Sequence, residues 1–91
     1  MRNYELALLI EPKQTLEPKA WTEKLKKWLV KGQIGKEENW GLKKLAYPIK
    51  KQSEALYYFY TLKVEPESLA ALEKKLKLDE SILRYLIINK S

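Results

Sequence analysis

Two lysine pairs, Lys43-Lys44 and Lys50-Lys51, stand on either side of an apolar segment that contains a tyrosine and Pro48. Lysine ammonium groups are compact point charges, and this arrangement suits contact with RNA phosphates and with a protein partner. Pro48 has no N–H to donate to a sheet ladder, so we expect a strand here to lie at a sheet edge. The simpler interpretation is an ordinary edge strand that lysine and proline protect against aggregation.

The chain carries a clear excess of positive charge. Lysine and arginine number 18 against 12 aspartates and glutamates, which gives a net charge of +6. Such an excess fits a polyanion as partner, although many small domains carry one. Only Arg2 and Arg84 are arginines. Because a guanidinium makes planar bidentate contacts, these two are stronger candidates for a specific role than any single lysine.

Catalytic and metal-binding chemistry has few candidate groups in this sequence. The absence of Cys and His excludes disulfides, thiolate nucleophiles, imidazole bases and the usual zinc ligands. Glu37 and Glu38 are adjacent in an apparent strand and would face opposite ways. The sequence therefore predicts a protein that is not an enzyme, with no metal, cofactor or small-molecule substrate.

Length and hydropathy predict one domain over residues 1–91. No apolar stretch approaches the roughly 20 residues that cross a bilayer. The opening MRNYELALLI lacks the small-residue cleavage site of a signal peptide. We therefore expect a cytoplasmic protein with no membrane partner.

Apolar periodicity predicts six elements in the order β-α-β-β-α-β. The helices are expected at about 16–31, with Thr15 as N-cap, and at 66–77. Each helix carries a single apolar stripe. The strands are expected at residues 3–10, 33–50, 55–64 and 82–89.

The second strand contains an interruption. Ile34 and Trp40 share one phase and are expected to face inward, whereas the apolar phase after Gly41 is odd-numbered. A β-bulge at Gly41 would explain this change of phase. Residues 51–54 are expected to form the hairpin turn into the third strand.

This order, with right-handed crossovers, predicts an α+β fold: a ferredoxin-like split βαβ sandwich. Its four-stranded antiparallel sheet would have strand order four-one-three-two, with both helices on one face. The second and fourth strands would be the edges, in agreement with Pro48. The opposite face would be open, and an apolar patch there usually marks an interaction surface. The residues expected on this face are Leu9, Tyr57, Phe59 and Leu86.

Three segments resemble the ribosomal protein S6 family of the bacterial small subunit. The opening RNYELALLI is similar to the R-x-Y-E start of that family, and GLKKLAYPI is similar to its G-[LM]-[RK]-x-L-A-Y-P-I segment. LDESILRYLII is similar to its final segment, a polar turn that leads into an arginine-bearing last strand. Many members carry a further tail, so any contact of that tail would be missing or made otherwise here.

The resemblance implies a structural role in the small ribosomal subunit. Members of the family bind the central domain of the small-subunit ribosomal RNA together with a small basic partner, ribosomal protein S18. The two proteins associate first and dock on the RNA as a unit. The resemblance thus implies two partners and a location in cytoplasmic ribosomes.

The candidate RNA contacts fall at two ends of the predicted sheet. Antiparallel pairing of the first and last strands would bring Arg2 and Tyr4 near Lys90, with the tyrosine ring packed and its hydroxyl exposed. At the other end of the sheet, Lys50 and Lys51 would approach Arg84 at the start of the last strand. Arg84 could instead pair with Glu54. For each lysine, the simpler interpretation is a solvated charge. The predicted RNA-binding residues are Arg2, Tyr4, Lys43, Lys44, Lys50, Lys51, Arg84 and Lys90.

The partner protein is expected on the edge strand and the open sheet face, where apolar side chains would otherwise meet water. The predicted partner-binding residues are Leu45, Tyr47, Ile49, Tyr57 and Phe59.

Two other classes share this topology. The RNA recognition motif stacks unpaired bases on aromatics of the central strands, but its glycine-containing signature is absent from ALYYFYTL. A small acylphosphatase-type enzyme would need an arginine in a glycine-rich loop after the first strand. The corresponding residues here, 11–14, contain neither arginine nor glycine. The recognition motif remains the alternative to the ribosomal role.

Overall fold

The computed structural model describes residues 2–12, 18–29 and 31–90. Its elements occur in the predicted order, and the predicted first-helix start with Thr15 as N-cap lies outside the described residues. The elements are β1 (Arg2–Ile10), α1 (Pro18–Trp28), β2 (Gly32–Ile49), β3 (Gln52–Val64), α2 (Pro66–Leu78) and β4 (Ile82–Asn89).

The first helix is shorter at its C-terminal end than periodicity predicts. α1 ends at Trp28, whereas the apolar stripe suggested an end near Lys31. Lys31 has a φ of 62°, in the left-handed region. A residue in that conformation cannot continue a right-handed helix, so the chain turns here toward β2.

The four strands form one antiparallel sheet in the order β2-β3-β1-β4. The predicted fold class and strand order are therefore confirmed. β2 and β4 are the two edges, so Pro48 lies on an edge strand as expected.

The core lies between the sheet and the two helices. Even-numbered residues of the central strands face the helices, and Leu6 and Leu8 of β1 have no exposed surface. Trp21 and Leu25 of α1 and Leu72 of α2 are equally buried in the same cluster. Each such apolar side chain contributes roughly 1.5–3 kcal/mol when it leaves water. The odd-numbered residues consequently face the uncovered side of the sheet.

β2 changes register with β3 over three intervals: 34–37, 39–41 and 44–49. The middle one is the predicted bulge. Gly41 has a φ of 79°, and its N–H donates a 2.9 Å hydrogen bond to Asn39 Oδ1. The interval at 34–37 was not predicted. It moves the β2 residues that follow it to the opposite face of the sheet. Trp40, expected to face inward with Ile34, is therefore 50% exposed, and that prediction is wrong.

β2 and β3 extend beyond the rest of the sheet. β1 pairs with β3 only as far as Leu56, so residues 43–54 project past it; we call them the basic hairpin. The turn is Lys50-Lys51, since Ile49 pairs with Gln52, and not the predicted 51–54. Both lysines have positive φ, 49° and 65°, which is what the favoured two-residue hairpin turn requires.

A partly buried ion pair ties α1 to the connection between α2 and β4. Lys24 Nζ lies 2.5 Å from Asp79 Oδ2, and it sits 4.6 Å and 5.2 Å from the ring centroids of Trp21 and Trp28. The backbone N–H of Ser81 donates to Asp79 Oδ1 at 2.9 Å. Both carboxylate oxygens thus have partners at a partly buried site.

These contacts control the ionisation of Asp79. Burial alone would raise the pKa of this carboxyl, but hydrogen bonds from Lys24 and Ser81 outweigh burial and lower the pKa below its ordinary value of 3.8. Because the folded-state pKa is the lower one, the stabilisation is complete above the unfolded-state pKa. It is lost as the pH falls through the folded-state pKa.

We predict that Asp79→Asn lowers the free energy of unfolding at pH 7 by about 1–3 kcal/mol, because Lys24 loses its counter-charge. The difference from the parent should shrink as the pH falls below about 4. Urea denaturation between pH 7 and pH 3 measures both effects, with the exposed Glu80→Gln as control. A loss of unfolding free energy that stays constant from pH 7 to pH 3 would contradict the ion pair with Lys24 as its cause.

Candidate nucleic-acid and protein interface

The basic hairpin brings four predicted RNA-binding residues together. Lys43 and Lys44 on β2 and Lys50 and Lys51 at the turn are all exposed. None of them forms an ion pair with a described residue, and the hairpin contains a single carboxylate, Glu54. The positive charge of this projection is therefore almost uncompensated.

The apolar side chains of the hairpin do not follow a simple strand alternation. Residues 45–48 of β2 lie in the last register interval, where β3 offers only Ser53 opposite them. Leu45 and Ile49 are half-buried, whereas Tyr47 is 64% exposed. Tyr47 is therefore the most accessible of the predicted partner-binding residues.

The predicted cluster at the other end of the sheet is only partly assembled. The backbone N–H of Lys90 donates to the carbonyl of Asn3 at 2.8 Å, which places Lys90 beside the start of β1. Its ammonium lies 3.7 Å from Glu5, so part of its charge is neutralised. Arg2 is exposed. Tyr4 is only 6% exposed; its ring belongs to the core, as predicted, and leaves little surface for a phosphate contact.

Arg84 does not approach the hairpin lysines, and this part of the prediction is wrong. Its Cα partner is Leu9 on β1, which in turn pairs with Tyr57 on β3. Six residues of extended strand separate Tyr57 from Lys51, which is about 20 Å at the usual rise per residue. No described residue forms an ion pair with Arg84 either, so the alternative pairing with Glu54 is also absent from the described part of the chain.

The uncovered face of the sheet carries an apolar surface. The rings of Trp40 and Phe59 stack with their centroids 5.5 Å apart and their planes at 6°. Leu86 and Ile88 on β4 are 58% and 43% exposed and pair with β1 residues of the same face. The open-face residues expected from the sequence are half-buried or exposed, as predicted. They are Leu9, Tyr57, Phe59 and Leu86.

Trp40 and Glu38 are the site residues that sequence reasoning missed. Glu38 pairs with Phe59 across the β2–β3 ladder, so its carboxylate shares the open face with Trp40. The available signal was glycine: both Gly35 and Gly41 lie in register intervals, and glycine inside a strand often marks a bulge. The predicted β2 had one interruption, at Gly41, and lacked the one at Gly35. Trp40 was therefore assigned to the wrong face of the sheet.

The acidic side chains of the described residues are dispersed. No three carboxylates among them converge as metal ligands would. Burial raises the pKa of the Tyr58 phenol, and it is also the main cause of the raised pKa of Tyr60; both rings are core residues. Neither of the two described helices has the length and apolar character of a membrane span. Fold and surface thus define a small ferredoxin-like α+β domain with a basic hairpin and a bare sheet face.

Comparisons with known proteins place this domain in a family. The sequence model of the family described as Ribosomal protein S6 matches residues 3–89 of this chain. Small ribosomal subunit protein bS6 of Vesicomyosocius okutanii subsp. Calyptogena okutanii is 39% identical over 93 residues, which cover 100% of this chain and 82% of the relative. The bS6 protein of Ruthia magnifica subsp. Calyptogena magnifica is 37% identical over 98% of this chain and 80% of its own.

A solved structure agrees with this result. The crystal structure of 30S ribosomal protein S6 from Thermotoga maritima superposes with a TM-score of 0.87 at 31% identity, and covers 98% of this chain and 87% of that one. The chain belongs to the ribosomal protein S6 family. It is a structural protein of the small ribosomal subunit and not an enzyme, as predicted.

The two lysines at the turn of the basic hairpin have positive φ and are expected to lower the stability of the fold. Lysine at positive φ costs about 1–2 kcal/mol per residue, whereas Asn-Gly suits the same turn. We predict that Lys50→Asn with Lys51→Gly raises the free energy of unfolding by about 1 kcal/mol. Urea denaturation measures this change. An unchanged or lower stability would contradict the strained turn.

Proposed function

We propose that this protein binds the central domain of small-subunit ribosomal RNA through the basic hairpin, together with a partner of the S18 type. The observation that carries the RNA part is the set of four exposed lysines, none of them in an ion pair with a described residue, on a projection past the sheet that has one carboxylate. A projecting two-stranded ribbon can reach a backbone groove that the flat face of a sheet cannot enter. Family membership supports the same role.

The hairpin lysines suit recognition of RNA by charge and shape. Ammonium groups bind phosphates without reading bases, and A-form RNA is recognised largely through its backbone and its wide minor groove. The lysines lie both along β2 and at the turn, which allows several phosphates to be contacted at once. We therefore expect a strong dependence of RNA affinity on salt.

Arg2 and Lys90 form a second candidate RNA contact at the far end of the sheet. Both are exposed, although the Glu5 carboxylate partly neutralises Lys90. Because the exposed guanidinium of Arg2 has no ion pair with a described residue, it contributes the larger share of this contact. Arg84 is exposed on the edge strand β4 at the open face, so it contacts RNA only where the partner leaves that edge uncovered.

The partner protein is proposed to cover the open sheet face and the exposed tyrosine of the hairpin. Phe59 lies beneath Trp40 in the aromatic stack, and Tyr47 presents its ring to solvent. Aromatic side chains of this kind are the usual anchors of protein interfaces. The hairpin then carries both the lysines proposed for RNA and the Tyr47 ring proposed for the partner, so the two partners are expected to meet there.

We predict that Lys43→Ala, Lys44→Ala, Lys50→Ala and Lys51→Ala together weaken binding to central-domain RNA. They should also flatten the log–log salt dependence by about 0.9 for each lost phosphate contact, by analogy with duplex DNA. A filter-binding titration at several salt concentrations, with and without the partner, measures both. Lys27→Ala, Lys74→Ala, Lys75→Ala and Lys77→Ala at exposed helix positions together remove the same number of charges and are the matched control.

The RNA titration also tests cooperation between the two proteins. Tighter RNA binding in the presence of the partner is expected if the pair docks as a unit. Equal affinity with and without the partner would contradict the cooperative part, and a flat salt dependence would contradict the electrostatic part.

We predict that Tyr47→Ala or Phe59→Ala weakens partner binding by about 1–3 kcal/mol, as loss of an aromatic anchor does. Isothermal titration calorimetry measures the affinity, and circular dichroism checks the fold. Leu78→Ala, which removes a side chain that is 79% exposed on α2, is the control. A folded double variant that binds the partner normally would place the interface elsewhere.

A further inference from the structure

Trp40, Phe59 and Glu38 form one unit on the open sheet face. One face of the Trp40 indole lies against Phe59 in a nearly parallel stack. The indole is nevertheless 50% exposed, so its other face is open to solvent. The indole Nε1–H donates to Glu38 Oε2 at 3.3 Å, which places a carboxylate at the edge of the exposed ring.

The charge of the chain makes this carboxylate significant. The protein carries a net charge of +6, and the partner under the proposed function is itself basic. Two basic proteins repel each other unless the interface supplies local negative charge. Glu38 supplies it beside an aromatic anchor, on the apolar face assigned to the partner.

Resting on the proposed function, we propose that Trp40 and Glu38 form a seat for an arginine side chain of the partner protein. The guanidinium stacks on the free face of the indole and donates to the Glu38 carboxylate. Trp is the best aromatic surface for a cation, and a guanidinium N–H forms a strong charge-assisted hydrogen bond with a carboxylate oxygen.

The present counter-ion of Glu38 does not block this seat. Lys36 Nζ lies 3.6 Å from Glu38 Oε1, and the lysine side chain is 70% exposed. Such a surface pair contributes little, and an arginine from the partner displaces it readily. A nucleobase fits the same place less well, because the carboxylate would repel the phosphates attached to it.

The local backbone holds the seat in position. The hydrogen bond from the Gly41 N–H to Asn39 Oδ1 fixes the bulge around Trp40. Glu38 is held in the ladder opposite Phe59. The indole and the carboxylate are therefore oriented before a partner arrives, which reduces the entropy lost on binding.

The first test uses a small probe and needs no partner. Nuclear magnetic resonance should show the Trp40 indole N–H signal, assigned by its absence in Trp40→Phe, shifting on titration with N-acetyl-arginine amide. N-acetyl-lysine amide should shift it less at equal concentration, and Glu38→Gln should reduce the response to arginine. An indole signal that arginine does not move, or that lysine moves equally, would overturn the arginine seat.

The second test uses the partner and separates this proposal from the proposed function. Glu38→Gln and Trp40→Leu should each weaken binding of the S18-type protein about 10-fold, the size of one cation–π contact or charged hydrogen bond. The double variant Glu38→Gln with Trp40→Leu should lose less affinity for the S18-type protein than the product of the two single fold-changes. Glu80→Gln and Leu42→Ala, which remove an exposed carboxylate and a side chain that is 52% exposed, are the matched controls.

The outcomes of the second test are distinct. If the parent does not bind the S18-type protein, the proposed function fails. If the parent binds and Glu38→Gln binds equally well, only the arginine seat fails. If Trp40→Leu weakens RNA binding but leaves the S18-type protein bound, the indole is a base-stacking surface and the seat is overturned.

Discussion

The one-sided cover of the sheet is the constraint on which the other features depend. Four antiparallel strands carry two helices on a single face, and the described residues place no further helix or strand on the opposite face. Burial of the helix-facing side chains supplies the stability, and the remaining face keeps apolar groups in contact with water. Those groups, with the Trp40–Phe59 stack at their centre, are what a partner can cover.

A second feature follows from unequal strand lengths. β2 and β3 are 18 and 13 residues long, whereas β1 has 9. Their pairing therefore continues after the sheet has ended, and the excess becomes a projection with lysines but almost no carboxylates. The two positive-φ lysines at its turn put charge where asparagine and glycine would be less strained. This is the pattern expected when a local stability rule yields to a binding requirement.

Under the proposed function, the two surfaces would let one small basic protein bind two different partners. Phosphate binding needs positive charge and little geometry, and the hairpin meets that need. A basic protein partner needs apolar area together with local negative charge, and Glu38 beside Trp40 provides it. The partly buried ion pair between Lys24 and Asp79 keeps one lysine out of both surfaces, where it ties α1 to the connection between α2 and β4.

Sequence alone determined the element order, the fold class and the edge position of Pro48, because apolar periodicity and proline chemistry act locally. The motif segments also identified the family, and the separation of apolar faces in β1 and β3 followed from strict alternation. Only the tertiary structure decided the face of Trp40 and the distance of Arg84 from the hairpin lysines. The face of Trp40 depends on the pairing register of β2 with β3. The distance of Arg84 from the hairpin lysines depends on the register of β1 with β4 and with β3. Register is set by bulges and cross-strand packing, and a single extra residue in a strand exchanges its two faces.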